Sequence, residues 1–470
     1  MNANRNADRS GAAQGRQETE VRLRRVLTLG QAVGVGVGGT IGGGIFVLVG
    51  AAAGRAGPGA LLAFLLAFVV ALLIAVPYAE LACRFPAAGG GYAFAREVLG
   101  REWGFVMGWG FWGAYVFISG YITLGFGGYL HVLTGLPPVA GALGLIAASA
   151  AVNLAGIRLS ATAQAALVLV AIGGLVGFSL AALPDVHAAH LWPPFPMGFA
   201  GVLSAALLAF LAFGGFDMIA AAGEEVQRPD RNLPLAILLT LAVALGLYLL
   251  VTVVALGVTP WPTLGASRAP LADAAAGVLG PAGRSLVAAA ALLTTAATGN
   301  AVLVVTSRIA FAMARDGLLP EVLAAVRPRR SVPAAAVAAN AVLLGLVALA
   351  GSIHIAIAVG GFLYVGHFVP PLVALGILRH RDRNRSYDRH RDGGSPAFRT
   401  PAPAVLLPLA LAACAVLIAT SGLEGILGAL GWLTAGLLLH RLAALRARTR
   451  HSTSGPDPLG GSRSRSGHLS

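Results

Sequence analysis

The chain has 470 residues, of which 57% are hydrophobic and only 11% are charged, and its mean hydropathy is +0.79. Because soluble domains carry about 25% charged residues, this composition excludes an ordinary soluble enzyme or binding domain and indicates a protein embedded in a lipid bilayer. The formal net charge is +14, but the basic residues are spread over the loops between apolar segments, which argues against nucleic acid as a partner.

Apolar segments of membrane-spanning length recur along almost the whole chain. A helix needs about 20 residues to cross a hydrocarbon core of about 30 Å. We therefore predict an all-α integral membrane fold with twelve transmembrane spans. Their predicted bounds are residues 28–52, 60–82, 103–133, 138–156, 159–183, 199–223, 233–258, 285–314, 333–350, 353–378, 402–420 and 423–440.

The polar ends of the chain predict its domain organisation. Residues 1–27 are expected to form a cytoplasmic N-terminal tail without a removable signal peptide. Residues 28–440 are expected to form the transmembrane domain, and residues 441–470 a disordered basic cytoplasmic tail.

The distribution of basic residues predicts the orientation. With both termini in the cytoplasm, the only basic residues on the outer side are Arg55, Arg268 and Arg284. Cytoplasmic loops carry the excess of basic residues in membrane proteins, so this orientation and an even number of spans are favoured. Every basic residue is arginine, which is typical of a GC-rich genome, and we expect the inner membrane of a bacterial cell.

The first span is unusually rich in glycine. Residues 34–46 contain seven glycines in thirteen positions, and each costs about 1 kcal/mol relative to alanine inside a helix. Close helix packing explains a single glycine pair in a membrane span. At this density we expect the helix to break near Gly42.

The sixth span contains a second weak point, where Gly214 and Gly215 precede Asp217. Paired interrupted spans in corresponding positions of two repeats indicate a transporter site. The repeats are expected at residues 28–183 and 199–378, with two further helices at 402–440.

Opened backbone at membrane depth requires polar partners, and a zwitterion supplies them. The half-helix that begins near Gly42 offers amides and a positive dipole end to a carboxylate, while carbonyls of residues 210–214 suit an ammonium group. An α-amino acid satisfies both, although the aromatic residues among the candidates are equally explained by helix packing. The candidate substrate-binding residues are Thr40, Ile41, Gly42, Gly43, Gly44, Ile45, Phe210, Leu211, Phe213, Gly214 and Phe216.

Several short motifs carry a family resemblance. They are GTIGGGIF at 39–46, AGP at 56–58, YAEL at 78–81, PAAGGGY at 86–92, FGGFD at 213–217, EE at 224–225 and the segment 308–320. In this order the chain resembles amino acid-polyamine-organocation permeases over about residues 25–375. The resemblance implies a LeuT-type fold with a 5+5 inverted repeat, broken helices 1 and 6, two extra C-terminal helices, and secondary active transport of an amino acid by alternating access.

Within that family the motifs are most similar to the cationic amino acid transporter branch. Two departures favour a neutral substrate, because Ala114 stands where that branch carries a glutamate and Leu211 where arginine exchangers carry a tryptophan. Antiport of an amine, a polyamine or a cationic amino acid is the alternative, as is a nutrient sensor or channel on the same scaffold. No set of paired acids, metal ligands or nucleophile and base indicates an enzyme or a metal site, and the oligomeric state is not predicted.

The coupling ion is either a proton or sodium, and no other cofactor is expected. Proton-coupled relatives place a lysine where Ala171 stands here. Candidate hydroxyl ligands for sodium are Thr294, Thr295 and Thr298, since hard cations prefer oxygen. Threonines in helices more often bond back to their own backbone.

Five residues are candidates for proton binding or gating. Asp217 lies beside the break in span six, where it either carries a proton or caps the second half-helix. Glu80, Glu224, Glu225 and Arg308 lie near cytoplasmic span ends, where they either form a gate or are simply solvated.

Overall fold

The computed structural model describes residues 25, 27–85, 90–156, 161–221, 225–326, 332–385 and 398–453. Within these ranges the regular structure is helical, with an isolated bridge between Leu27 and Val226. The helices of the first half are α1 (Leu29–Thr40), α2 (Gly44–Ala56), α3 (Ala60–Arg84), α4 (Gly90–Leu99), α5 (Arg101–Thr134), α6 (Pro138–Leu154) and α7 (Ala161–Ala182).

The second half contains ten α-helices in the described residues. They are α8 (Gly198–Ala212), α9 (Phe216–Ala221), α10 (Pro229–Val258), α11 (Trp261–Ala266), α12 (Pro270–Arg315), α13 (Ala334–Leu349), α14 (Ile353–Gly366), α15 (Val369–Arg385), α16 (Pro403–Ala419) and α17 (Gly422–Thr453).

Eight described helical segments are long and apolar enough to cross a membrane, which makes the chain a multi-pass membrane protein. Three shorter apolar helices, α6, α13 and α16, accompany them, and one of the eight segments contains both α2 and α3. The number of twelve spans stays a prediction. The eight segments are Gly44–Arg84, Arg101–Thr134, Ala166–Asp185, Gly198–Ala220, Pro229–Val258, Pro270–Arg315, Ile353–Asp382 and Gly422–Arg441.

Most helix ends lie within a few residues of the predicted bounds, but three helices are longer. Helix α12 begins at Pro270 rather than near 285 and kinks at Gly280, whose φ is +66°. Helix α15 continues to Arg385, and α17 continues to Thr453. The first part of the predicted disordered tail, residues 441–453, is therefore helical. Alanine, leucine and arginine are good helix formers, and arginine is favourable at a helix C-terminus.

The centre of the molecule is formed by the two interrupted helix pairs, α1 with α2 and α8 with α9. Helix α2 packs on α8, α1 packs on α10, and α9 packs on α1. Helices α3, α10 and α12 surround them, and α5 packs along both α12 and α14. Two helical interruptions are thus placed side by side inside the bundle.

Local sequence explains where α1 begins. Thr28 is its N-cap, with its hydroxyl accepting from the amide of Gln31 at 3.4 Å, while Gln31 Oε1 accepts from the amide of Thr28 at 3.0 Å. This reciprocal pair is a capping box, which satisfies two amides that a helix start leaves without partners.

Candidate substrate site

The first span is interrupted at residues 41–43, which we call the first break. Helix α1 ends at Thr40 and α2 begins at Gly44. The last turn of α1 closes with a hydrogen bond from the amide of Ile41 to the carbonyl of Val37 at 2.7 Å. The interruption lies where the glycine-rich segment predicts it.

The glycines of the first break allow the backbone to lie directly against α12. A Cβ on Gly43 would lie 2.6 Å from Thr295 Cγ2 and 2.8 Å from Thr295 Cα, and one on Gly42 would lie 2.7 Å from Thr298 Oγ1. Real Cβ contacts are essentially never under 3.0 Å. Thr298 Oγ1 accepts a hydrogen bond from the amide of Gly43 at 2.9 Å, so this threonine satisfies one amide of the break.

Other polar groups at the first break have no partner in the part of the chain that the structure describes. The hydroxyl of Thr40 is buried and unpaired there. No described residue accepts a hydrogen bond from the amides of Gly42 or Gly44. Buried polar groups usually find partners, so these groups are available to a ligand.

The sixth span is interrupted at residues 213–215, which we call the second break. The amide of Phe213 donates to the carbonyl of Phe210 and that of Gly214 to the carbonyl of Leu211, both at 3.1 Å. Gly215 has a φ of +116°, which only glycine adopts readily. The carbonyls of Phe210 and Leu211, two of those proposed for a substrate ammonium, thus already accept a hydrogen bond, but each keeps a second lone pair.

The second break lies against the last two residues of α1, directly before the first break. A Cβ on Gly39 would lie 3.4 Å from the carbonyl oxygen of Gly215, and one on Gly215 would lie 2.7 Å from the amide nitrogen of Thr40. In this conformation the backbones of α1 and of the second break leave no room between them for an amino acid. A ligand requires them to separate.

A tyrosine that the sequence did not indicate connects the two breaks. Tyr248 of α10 is fully buried, and its hydroxyl oxygen lies 2.7 Å from the carbonyl oxygen of Thr40 and 2.8 Å from that of Ala212. A phenol carries one proton, so it donates to one carbonyl at a time. These carbonyls belong to the last residues of α1 and α8.

The aromatic candidates of span six pack into a buried cluster of rings. Phe210 lies 5.9 Å from Tyr364 between ring centroids, and Phe216 stacks on Phe368 at 5.4 Å. Phe213 lies 5.3 Å from the Tyr248 ring. Beside the second break the surroundings are therefore apolar and aromatic.

Asp217 is buried in the first turn of α9, with 4% of its surface exposed. Its Oδ1 accepts from the amide of Gly215 and from the hydroxyl of Tyr364, both at 3.2 Å. The carboxylate therefore holds the amide of the residue that precedes α9. Its Oδ2 lies 3.8 Å from His367 Nε2.

The three threonines of α12 bond back to their own helix, with hydroxyl to carbonyl distances of 2.6–2.8 Å at the fourth preceding residue. Thr294 and Thr298 also line a small pocket, together with Gly38, Ile41, Gly42, Leu167, Val168 and Ala297. Thr295 instead turns its methyl group towards Gly43. A donating hydroxyl keeps its lone pairs, so the oxygens of Thr294 and Thr298 remain able to coordinate a cation, whereas Thr295 points elsewhere.

An ion-pair network holds three segments together at one end of the bundle. Glu80 is fully buried and accepts from Arg84 at 2.7 Å, from Arg379 at 2.8 Å and from the amide of Thr400 at 2.8 Å. Arg84 also pairs with Asp382 at 2.9 Å. Sequence reasoning missed these partners of Glu80.

The other candidates for gating are placed differently. Arg308 is exposed, and Glu225 contributes its backbone carbonyl, which accepts from the amide of Leu27 at 2.8 Å. Glu224 lies outside the described residues. Arg308 does not meet Glu80 within the described network; Arg379 does so instead.

At the opposite end, Arg55 of α2 joins three further helices. It donates to Ser204 Oγ at 2.6 Å and lies 2.5 Å from His354 Nδ1, and His354 Nε2 lies 3.7 Å from Glu424. Arg55 was singled out by the sequence only as one of three basic residues on the outer side.

Comparison with known proteins places this geometry in context. A model of the amino acid permease family matches residues 31–373. The branched-chain amino acid permease BcaP of Bacillus subtilis (strain 168) is 31% identical over 398 residues, which are 78% of this chain and 82% of that protein.

Two further relatives are matched over shorter parts. Cationic amino acid transporter 4 of Homo sapiens is 36% identical over 308 residues, 58% of this chain and 47% of the relative. The methylthioribose transporter of Bacillus subtilis (strain 168) is 32% identical over 276 residues, 54% of this chain and 59% of the relative. The chain thus spans about half the length of these two proteins, and the names of the three relatives cover more than one class of substrate.

Proposed function

The chain belongs to the amino acid permease family of the amino acid-polyamine-organocation superfamily, and we propose that it is a secondary active permease that moves a neutral amino acid by alternating access. The proposal includes a LeuT-type inverted repeat and a location in the bacterial cytoplasmic membrane with both termini inside. The family and its transporter-named relatives indicate transport rather than catalysis.

The observation that carries the proposal is the unpaired polar backbone at the first break. The amides of Gly42 and Gly44 and the hydroxyl of Thr40 lie at the N-terminal end of α2, where the helix dipole favours a negative charge. A substrate carboxylate satisfies these groups. The carbonyls of Thr40 and Ala212 already face the hydroxyl of Tyr248, and each keeps a second lone pair. These second lone pairs then accept hydrogen bonds from the ammonium group.

Alternating access follows from the contact between the breaks. Because Gly39 and Gly215 touch, an amino acid binds only after the half-helices move apart, and its charged groups then bind the polar backbone that the separation exposes. The Glu80 network at one end and the Arg55 cluster at the other are the groups whose ion pairs open and close the two paths.

A neutral side chain agrees with the surroundings of the second break. Ala114 is fully buried, Leu211 is 4% exposed, and Phe210 and Phe213 are completely buried. A cationic side chain here would lose its hydration without gaining a carboxylate from either of the first two positions. We therefore extend the substrate class named for the Bacillus permease to this chain.

Transport is coupled to a gradient of protons or of sodium, or it proceeds by exchange of one substrate for another. The pocket of Thr294, Thr298 and the backbone of Gly38 and Ile41 offers neutral oxygens, which suit sodium. The alternative is the buried carboxylate of Asp217. Uptake at constant pH with a sodium gradient separates the two from uptake in sodium-free buffer with a pH gradient.

The test is uptake of radiolabelled leucine, isoleucine and valine by the purified protein in liposomes, with counterflow as the measure of transport independent of coupling. We expect saturable uptake of at least one of them, competed by other neutral amino acids. Uptake of arginine, putrescine or methylthioribose instead would overturn the substrate class. Binding in a thermal-shift assay without any counterflow would indicate a sensor, and non-saturable flux a channel.

A further inference from the structure

His367 occupies an unusual position between α14 and α15. It is 3% exposed and lies among aromatic rings, with centroid distances of 3.8 Å to Phe368 and 4.9 Å to both Phe111 and Tyr364. Aromatic packing accounts for the faces of the ring. It does not account for the two ring nitrogens.

The hydrogen bond of Nδ1 determines the tautomer. His367 Nδ1 is hydrogen-bonded to the carbonyl oxygen of Tyr364, and because a carbonyl only accepts, Nδ1 carries a proton. In a neutral ring the other nitrogen then has a lone pair. Nε2 of His367 is buried and has no hydrogen-bond partner in the described part of the chain.

The group that faces this lone pair is another acceptor. Oδ2 of Asp217 lies 3.8 Å from Nε2, and the side chains of Asp217 and His367 are 3% and 1% exposed. Two acceptors that face each other in a dry interior repel, and the lone pair of Nε2 has no donor. One proton between them converts this contact into a charge-assisted hydrogen bond.

Among the described residues, no positively charged group faces this pair and takes the place of that proton. The titratable groups that α3, α5 and α14 turn towards the pair are the phenols of Tyr78, Tyr115 and Tyr364. Helix α1 contributes glycine backbone, and α10 the phenol of Tyr248. The charged groups on α3, Glu80 and Arg84, are engaged with Arg379 and Asp382.

We propose that Asp217 and His367 form a proton-binding site, in which a single proton bridges Oδ2 of the carboxylate and Nε2 of the imidazole. Asp217 uses its other oxygen to hold the amide of Gly215 and the hydroxyl of Tyr364. Loading and release of the proton therefore act directly on the second break. The inference rests on the proposed function for its transport readout, and it assigns the proton as the coupling ion.

The transport test uses liposomes with an inward pH gradient of one unit and no sodium, with radiolabelled leucine. One proton per substrate drives about tenfold accumulation across such a gradient. In His367→Gln, whose side chain takes no proton, accumulation is expected to fall to about the external concentration, and Asp217→Asn is expected to do the same. The ratio of gradient-driven uptake to counterflow is the quantity compared.

The matched control is His190→Gln. His190 makes the same type of bond, from Nδ1 to the carbonyl of Gly257 at 2.7 Å, but lies outside the bundle centre in the segment before α8. Its ratio is expected to match that of the unaltered protein. Equal ratios in all three variants and the unaltered protein would overturn the proposal.

A second measurement does not depend on transport. In ¹⁵N-histidine-labelled protein, the ring signals of His367 are identified by their loss in His367→Gln, against a background of nine other histidines. We expect His367 to become doubly protonated as pH falls, and to do so at a pH about one unit lower or more in Asp217→Asn, because the carboxylate that favours the cation is gone. A signal with the same transition in both proteins would contradict the site, whatever the substrate.

If leucine and every other amino acid fail in counterflow while this titration is seen, the proposed function fails and the proton site stands. If counterflow is normal and the titration of His367 does not respond to Asp217, the permease stands and the proton site is overturned.

Discussion

The first and second breaks are both short unwound segments with glycines, but their backbone amides have different hydrogen-bond partners. At the first break, a threonine of α12 takes one amide, and the Thr40 hydroxyl and the Gly42 amide have no partner among described residues. At the second break, the amide of Gly215 is held by Asp217. The difference indicates that the first break is open to a ligand, whereas the second is closed by its own side chains and can be switched.

Tyr248 lies where the two breaks meet. Its single proton serves two carbonyls, those of Thr40 and Ala212, so one of them lacks a donor at any moment. This arrangement joins the C-terminal ends of α1 and α8, the two half-helices that precede the breaks.

The largest effect is expected where the two breaks touch. Gly215→Ala adds a methyl group that meets the Gly39 backbone and the Thr40 amide, and it also forces a positive φ. Overpacking of this contact costs about 1–3 kcal/mol, and because an amino acid binds only after the contact separates, we expect leucine affinity in a binding assay to rise by about 30-fold. Gly280→Ala is the control, since Gly280 shares the positive φ but has nothing within 4 Å. Equal changes in the two variants would show that the contact is unimportant for binding.

An intermediate effect is expected for the hydroxyl that joins the breaks. Tyr248→Phe keeps the ring contacts with Phe213 and Phe64 but leaves both carbonyls without their donor, at a cost of about 0.6–1.5 kcal/mol. We expect a roughly threefold to tenfold change in apparent affinity for leucine. Tyr129→Phe removes a similar buried bond, to the carbonyl of Phe46 at 2.6 Å, away from both breaks. A matching change in that control would assign the effect to general stability.

The smallest effect is expected at the partner of the first break. Thr298→Val preserves shape but removes the acceptor of the Gly43 amide, which costs about 0.6–2 kcal/mol and predicts about a threefold loss of affinity or more. Thr306→Val is the control, because Thr306 is buried and bonds back to Val302 on the same helix. A sodium dependence of uptake that disappears only in Thr298→Val would sharpen the comparison by assigning the ion to this break.

Much of the first break was predictable, and little of its surroundings was. Seven glycines in thirteen residues are a strong local signal against a continuous helix, and the break lies at residues 41–43. Its partner Thr298 lies 255 residues from Gly43 in the sequence, and Tyr248 lies 208 residues from Thr40. Neither contact has a local signature.

The second break shows the same limit at Asp217. Both interpretations of this carboxylate, a cap and a proton carrier, are open from the sequence, and the structure shows that it accepts from the amide of Gly215. No motif in the sequence pairs His367 with this carboxylate. The sequence carries one local signal for its position. Pro370 and Pro371 follow His367, and prolines commonly start a new helix, which indicates a helix boundary here. The carboxylate opposite its ring belongs to another part of the chain.

The amino-acid sequence by itself determined that this chain is a helical membrane protein, where most of its helices begin and end, and where two of them are weak. These properties depend on hydrophobicity, helix propensity and turn residues within a few positions of one another. Only the tertiary structure decided that the two weak points touch, that a single phenol joins them, and that a histidine faces the buried carboxylate. Those contacts join residues 36 to 208 positions apart, and the packing of whole helices, not local free energy, brings them together.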